Sequence, residues 1–293
     1  MMGSLDELVD LLRLEQLDEN LFRGRSEDPG WGQLYGGHVL GQALSAAQQT
    51  IDPERRVHSV HAYFLLTGDV TRPVIYEVDP IREGSTFATR RVVAKQRGRA
   101  IFHLSASFQK LEQGFEHQDP MPSVPSPDAV PTDEQAMAPF AQRFPAPIRD
   151  RILAPRAFEM RPIEEPDDPI VPRVREPRRA VWLRGRGTVG ADPALNAALL
   201  AYVSDYLLIG TALLPHGVSW LSPGMQVASL DHAMWFHDDF RVDDWLLHTM
   251  ESTRASRGRG LVRSQLFSAD GRLVASSTQE GLIRMRAARR QGR

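Results

Sequence analysis

The sequence of 293 residues contains no cysteine. This absence excludes disulfide bonds, zinc sites built from thiolates and thiol nucleophiles, and it fits a reducing compartment. An excess of one charge is also lacking, because 35 Lys and Arg residues nearly balance 37 Asp and Glu residues and leave a formal net charge of -2. The chain therefore has no broad positive field for binding nucleic acid or a membrane surface, and we expect neither as a partner.

Targeting and membrane-spanning signals are missing as well. Residues 1–8 contain no basic start followed by an apolar run, so they do not form a secretory signal. The most apolar stretch, residues 197–214, is interrupted by Ser204 and Asp205 and is short for a bilayer span. We therefore expect a cytoplasmic protein.

No metal site or cofactor is predicted. His58 and His61 lie three residues apart in a predicted strand, and this odd spacing would direct their side chains to opposite faces. His232 and His237 are also separated by an odd number of residues. Neither pair can therefore provide two metal ligands from one face of a strand.

Two similar stretches of sequence occur about 170 residues apart. Residues 57–64 and 227–237 each contain a His-Ala pair within an alternating run that is typical of a β-strand. About 45 residues later, each is followed by a Ser/Ala-rich strand, and these strands end at Gln109 and Gln279. Two features repeated in the same order predict a duplicated domain, in which His58 occupies the position of Ser229.

Each half contains a predicted helix followed by antiparallel strands. The helices are expected at residues 37–49 and 194–214, and short turns join the strands that follow. Between Pro120 and Pro177 lie 14 of the 21 prolines, which disfavour continuous helix or central strand there. We predict an N-terminal domain over residues 1–112, a proline-rich linker over 113–155 and a C-terminal domain over 156–293.

Asp205 is the most unusual residue of the second predicted helix. It lies in the middle of an apolar run, where a carboxylate is costly unless it is paired, hydrogen-bonded or facing a wet cleft. A functional role is one interpretation. The alternative is that Asp205 faces solvent or bonds a nearby backbone group.

Several short motifs are distributed over both halves: Tyr35-Gly-Gly-His38, His58-Ser-Val-His-Ala-Tyr-Phe64, Val203-Ser-Asp-Tyr206, Leu230-Asp-His-Ala-Met-Trp-Phe-His237 and Thr278-Gln-Glu-Gly281. With these motifs the chain resembles the acyl-CoA thioesterase II family over nearly its whole length outside the proline-rich segment. The resemblance implies an α+β double hotdog, which is two tandem hotdog folds, each a long helix wrapped by a curved antiparallel sheet. It also implies hydrolysis of acyl-CoA to free fatty acid and coenzyme A.

The resemblance implies a catalytic trio at Asp205, Ser229 and Gln279. The chain has no cysteine, and it lacks both a nucleophile elbow and the alternating α/β pattern in which such an elbow occurs. Direct attack by water is therefore the simpler hypothesis. Asp205 would then act as the general base, while Ser229 and Gln279 would orient the water.

Substrate contacts are expected from both halves. His58 is expected to contribute to binding or to the water network, and backbone N–H groups near Gly36 and Gly37 are expected to polarise the thioester carbonyl. Arg254 and Arg257 are expected to contact the phosphates of coenzyme A, although each could instead lie on a solvated strand edge. A second basic cluster lies in the first half at Arg90, Arg91, Lys95, Arg97 and Arg99. The resemblance also implies a homo-oligomer, a dimer or tetramer of double-hotdog chains.

Two other functions remain open at this stage. A hotdog enoyl-CoA hydratase would work with an Asp and a His near an Asn-Pro segment, but neither Asn20 nor Asn196, the only asparagines, precedes a proline. A non-catalytic acyl-CoA binding protein would tolerate loss of the trio. All three trio positions are retained, which favours the enzyme.

Overall fold

The first half consists of a buried helix and a curved antiparallel sheet. The structure is a computed structural model and describes residues 3–286. The first helix begins at Leu5 because the Ser4 side chain accepts the Glu7 N–H, while the Glu7 carboxylate accepts the Ser4 N–H. The elements are α1 (Leu5–Leu12), β1 (Glu15–Asp18), β2 (Leu21–Gly24), α2 (Gly36–Gln48), β3 (Arg55–Phe64), β4 (Val74–Glu83), β5 (Phe87–Gln96) and β6 (Arg99–Lys110).

The proline-rich segment contains two short helices in addition to extended chain. A single 3-10 turn covers Pro127–Ala129, and α3 (Asp133–Ala141) and α4 (Ala146–Leu153) follow it. Thr132 caps α3, as its side chain accepts the Gln135 N–H. Both helices are short, in keeping with a segment whose prolines disfavour continuous helix.

The second half repeats the helix-and-sheet pattern. After α5 the chain forms a 3-10 helix over Ile209–His216. The elements are β7 (Phe158–Pro162), β8 (Arg178–Gly185), α5 (Pro193–Ser204), β9 (Met225–Ser229), β10 (Asp231–Phe236), β11 (Leu246–Ser256), β12 (Arg259–Ser268) and β13 (Leu273–Met285).

One antiparallel sheet runs through both halves of the described chain. Its strand order is β1-β2-β4-β5-β6-β3-β10-β13-β12-β11-β8-β7, and β9 pairs with β13 beside β10. The halves join where β3 pairs with β10, with His61 opposite Ala233 and Ala62 opposite His232. The predicted α+β double hotdog is confirmed.

The two long helices pack against each other in antiparallel orientation inside this sheet. Gly37 lies against the carbonyl oxygen of Tyr202, and Gly41 lies against that of Ala198. A Cβ atom on Gly37 would lie 2.1 Å from that Tyr202 oxygen, so the close approach requires glycine. The N-terminus of α2 therefore meets the C-terminus of α5.

Two predicted elements of the second half are shorter than the sequence suggested. The helix expected over residues 194–214 stops at Ser204, because Leu207 adopts a left-handed conformation with φ 66°. The alternating run of residues 227–237, expected as one strand, is divided at Leu230 between β9 and β10. By length and composition Pro193–His216 could cross a membrane, but 83% of its most apolar window is buried inside the protein.

Candidate active site

Asp205, Ser229 and Gln279 meet at the C-terminal end of α5. Asp205 is the residue that ends this helix and is only 9% exposed. Its Oδ1 atom accepts a hydrogen bond from Ser229 Oγ at 3.2 Å and one from Gln279 Nε2 at 2.5 Å. Gln279 Nε2 also donates to Ser229 Oγ at 3.1 Å. The three residues expected to form the trio are thus in mutual contact.

The first half contributes directly to this site through the start of α2. The Gly37 N–H donates to Asp205 Oδ2 at 3.0 Å. A Cβ atom on Gly36 would lie 2.6 Å from the same oxygen, so only glycine leaves room for the carboxylate. The N-terminal end of α2, where backbone N–H groups have no partner within the helix, faces the Asp205 carboxylate. The site therefore depends on both halves of the chain.

The backbone N–H groups of Gly36 and Gly37, at the start of α2, differ in whether they already have a hydrogen-bond acceptor. Gly37 was expected to polarise the substrate carbonyl, but its N–H is used by Asp205. The Gly36 N–H precedes the first intrahelical bond of α2 and has no acceptor within residues 3–286. Of the two amides, Gly36 is the one available to a ligand.

The side-chain amide nitrogen of Gln279 is hydrogen-bonded within the trio, but the amide oxygen is not. Its side chain is fully buried, and Oε1 has no hydrogen-bond donor within residues 3–286. A buried carbonyl oxygen is rarely left unpaired in proteins. Gln279 Oε1 can therefore accept a hydrogen bond from a water or a substrate group that enters the site.

A buried histidine lies behind the trio. His232 Nε2 is 3.0 Å from Ser204 Oγ, and this hydroxyl donates to the carbonyl oxygen of Ala201 at 2.9 Å. Because the serine proton is used in that way, His232 Nε2 must carry the proton donated to Ser204 Oγ. Burial lowers the pKa of His232, while the nearby Asp205 opposes this shift. His232 is thus a neutral group that holds the residue preceding Asp205, a role that the sequence analysis did not identify.

The turn that follows Asp205 is strained. Tyr206 N–H bonds the carbonyl oxygen of Val203 at 3.0 Å, and Leu207 then has φ 66°. This left-handed conformation costs a non-glycine residue about 1–3 kcal/mol. Surrounding contacts must therefore hold the turn that fixes the position of the carboxylate.

The repeat register predicted from the two His-Ala pairs is wrong by one residue. His61 is exposed on the outer face of the sheet, whereas His232 is fully buried on the inner face. Equivalent residues must face the same way, and a shift of one residue reverses every side chain of a strand. The two histidines are therefore not structural counterparts.

Bulges in the two strands define the correct register. In the first half Val57 pairs with Phe108 and Ser59 with Ser107, so His58 is an extra residue. In the second half Ser229 pairs with Gly281, and Ala233 pairs with Thr278. The first strand therefore advances by four residues while the second advances by three, and the extra residue is Leu230. Superposing the bulges relates Ser229 to Val57, Gly281 to Phe108 and therefore Gln279 to Ala106.

His58 is not brought to the trio. The bulge directs its ring to the outer face of the sheet, where Nε2 lies 2.8 Å from Ser107 Oγ. Phe64, which contacts Gly36, is six residues further along the strand, or about 20 Å at roughly 3.3 Å per residue. The position of His58 therefore does not support its expected part in binding or in the water network. It also shares the outer face with His61, contrary to the expectation of opposite faces.

The two basic clusters differ in how much of their charge is already paired. In the first half Arg91, Lys95 and Arg97 bond Asp79, Glu77 and Asp69, respectively, and the mostly buried Arg90 bonds Glu83. Arg254 and Arg257 lie exposed at the tip of the β11–β12 hairpin, and neither has an ion pair within residues 3–286. Within residues 3–286, Arg254 and Arg257 therefore keep their charge free of ion pairs, as does Arg99, the one member of the first cluster that pairs with no carboxylate.

Known proteins match the chain over nearly its whole length. The acyl-CoA thioesterase family matches residues 172–282, and the acyl-CoA thioesterase N-terminal domain matches residues 27–109. Acyl-CoA thioesterase 2 of Haemophilus influenzae is 43% identical over 280 residues, which cover 96% of this chain and 98% of that protein. Acyl-coenzyme A thioesterase 8 of Homo sapiens is 40% identical over 288 residues, which cover 95% of this chain and 89% of that protein.

Solved structures have the same architecture. Acyl-CoA thioesterase II TesB2 from Mycobacterium marinum shares 38% identity with this chain at a TM-score of 0.78, with 96% of this chain and 98% of that one covered. The fold and the Asp-Ser-Gln site at the meeting point of its halves define a double-hotdog thioesterase. The chain belongs to the acyl-CoA thioesterase II family, and it is a thioester hydrolase.

Proposed function

We propose that this protein hydrolyses acyl-CoA to free fatty acid and coenzyme A by direct attack of a water molecule that Asp205 deprotonates. The observation that supports this most strongly is the set of donors on the Asp205 carboxylate. Ser229, Gln279 and the Gly37 amide all donate to it, so both of its oxygens act as acceptors and the carboxylate is held in place as a general base must be.

The proposed reaction begins with a water that lies against the trio and contacts Asp205 together with Ser229 or Gln279. Asp205 takes one proton as the water oxygen attacks the thioester carbon, and the Gly36 N–H donates to the oxyanion that forms. Collapse of this intermediate breaks the carbon–sulfur bond. The proton on Asp205 passes to the departing thiolate, and the products are a fatty acid and coenzyme A.

Two assays test this activity against the alternatives. Release of thiol from a ladder of acyl-CoA chain lengths measures hydrolysis, and hydration of crotonyl-CoA measures enoyl-CoA hydratase activity. We expect catalytic thiol release and no hydration. Hydration without thiol release would support the hydratase, and stoichiometric binding without either reaction would support a binding protein.

We propose one working site per chain. At the other end of the helix pair the counterparts of the trio are Gln49, which ends α2, Val57 and Ala106. None of these can act as a general base. The cavity at that end has a volume of about 350 Å³, and its lining includes Val57, Phe108 and Phe236.

We propose that Arg254 and Arg257 bind the phosphates of coenzyme A. Arg254 lies opposite Leu261 on the neighbouring strand, and Leu261 lies opposite Glu280, so two strand spacings of about 4.8 Å each separate Arg254 from the residue after Gln279. Replacing both arginines by alanine should raise KM for acyl-CoA about tenfold or more with little change in kcat. The matched control is Arg91→Ala, which removes an exposed arginine that already pairs with Asp79. An unchanged KM in the double variant would contradict the assignment.

The remaining expectations concern assembly and location. We propose a homo-oligomer in which chains pair through the outer faces of their sheets, because Tyr63 and Trp235 are 54% and 37% exposed where β3 meets β10. Light scattering that gave the mass of a single chain would contradict this.

We also propose a cytoplasmic location with neither nucleic acid nor membrane as a partner, supported by the net charge of -2. Cell fractionation tests the location.

A further inference from the structure

Arg156 links the proline-rich segment to the residue that follows Asp205. Its Nη1 atom donates to the Tyr206 hydroxyl oxygen at 2.6 Å and to Asp133 Oδ2 at 2.7 Å. The guanidinium carbon also lies 5.4 Å from the centre of the Tyr206 ring. Asp133 is the first residue of α3, so this arginine joins three separate parts of the chain.

The Arg156 contacts are largely shielded from water. The side chains of Arg156 and Asp133 are only 15% and 22% exposed. Burial opposes the charge of Arg156, but Tyr206 and Asp133 more than offset it, so the pKa of Arg156 is raised. Burial also raises the pKa of Tyr206 to about 12, so its hydroxyl stays protonated at neutral pH. Arg156 is therefore a cation that donates hydrogen bonds to a neutral hydroxyl group and to a carboxylate.

The held tyrosine lies within the strained turn. Asp205 ends α5, Tyr206 follows it, and Leu207 has the left-handed conformation with φ 66°. A turn of this kind persists only when surrounding contacts fix it. Arg156 supplies two such contacts at Tyr206, the hydrogen bond and the position over the ring.

We infer that Arg156, anchored by Asp133 and acting through Tyr206, is a positioning residue that holds the Asp205 carboxylate in its reactive orientation. The proline-rich segment is then a working part of the site and not only a connection between halves. This inference rests on the proposed role of Asp205 as the general base.

Arg156→Ala should lower kcat about tenfold or more with little change in KM, because a small displacement of a catalytic group slows chemistry more than binding. Tyr206→Phe keeps the ring and removes the hydroxyl, so it should give a smaller loss of kcat. Arg156→Lys should recover most of kcat, since one ammonium group can donate to both oxygens. An unchanged kcat in folded Arg156→Ala and Tyr206→Phe proteins would overturn the inference.

Arg161→Ala is the matched control. Arg161 is 19% exposed, bonds Glu159, and donates to the carbonyl oxygens of Pro127 and Val130 in the same segment. Arg161 makes no hydrogen bond or ring contact with Tyr206. Its loss should lower the melting temperature and leave kcat near that of the unaltered protein. If Arg156→Ala and Arg161→Ala lowered kcat equally at matched stability, Arg156 would act only by stabilising the proline-rich segment, and the positioning role would be refuted.

A double-mutant cycle separates this inference from the proposed function. In a protein that already carries Asp205→Asn, adding Arg156→Ala should change the residual rate less than twofold, because no base is left to position. An undiminished tenfold effect in that background would overturn the positioning role. Full turnover in Asp205→Asn alone would instead refute the role of Asp205 itself.

Discussion

Replacement of Asp205 by Asn removes the proposed general base with almost no change in shape. Within residues 3–286, each group that bonds the carboxylate is a donor: the Gly37 N–H on one oxygen, and Ser229 and Gln279 on the other. Asparagine presents one acceptor and one NH2 group, so its NH2 must face a donor whichever way the amide is turned. At least one buried hydrogen bond is therefore lost.

The structure allows both effects of this change to be estimated. An unpaired buried donor costs about 1–3 kcal/mol of unfolding free energy, which most folded domains tolerate. Loss of a general base lowers turnover by about 10² to 10⁴, which corresponds to roughly 3–5 kcal/mol in the activation barrier. The catalytic defect should therefore exceed the stability defect.

The assay is thiol release under saturating acyl-CoA, with circular dichroism to verify folding. Asp192→Asn is the matched control, because Asp192 caps the opposite end of α5 by accepting the N–H groups of Ala194 and Leu195. Asparagine is an equally good N-cap, so kcat should be unchanged in this variant. Turnover at the level of the unaltered protein in folded Asp205→Asn would refute the mechanism.

Two further predictions concern the duplicated halves and the dependence of stability on pH. Gln279→Ala should abolish most turnover, whereas Gln49→Ala, at the first-half counterpart of Asp205, should be nearly silent; equal loss in equally stable proteins would contradict one site per chain. Burial lowers the pKa of His38 to about 4 and that of His248 to about 3. Below pH 6.5 the unfolded chain binds these protons and the folded chain does not, so unfolding free energy should fall by roughly 1.4 kcal/mol per pH unit per histidine as pH falls towards 4. Urea midpoints that coincide at pH 6.5 and 5 would refute this, and His248→Gln should reduce the slope by one proton.

The order of helices and strands could be predicted because hydrophobic alternation and turn residues are local signals, and the double-hotdog arrangement was implied by the family resemblance. It did not predict the register of the repeat, because a β-bulge depends on how two strands pair and leaves no clear mark on either one. His58 and Leu230 are the extra residues in the two strands. Alignment on the nearby His-Ala pairs therefore related His61 to His232, although these side chains lie on opposite faces.

The trio residues were predicted by resemblance, but their supporting contacts were not. Gly37 was expected to serve the substrate and instead donates to Asp205, because antiparallel packing of α2 and α5 brings two distant helix ends together. Arg156 lies beside a proline-rich stretch whose composition indicates only irregular structure. Its partners Asp133 and Tyr206 are separated from it by 23 and 50 residues, so no local pattern connects them.

The central claim is that water attacks the thioester directly, with Asp205 as the base. Rapid mixing of the protein with excess acyl-CoA, followed by acid quenching and intact mass measurement, tests it most directly. Direct attack predicts thiol release without an initial burst and a protein mass that does not change during turnover. A burst of one coenzyme A per chain, accompanied by a protein heavier by the mass of one acyl group, would contradict it.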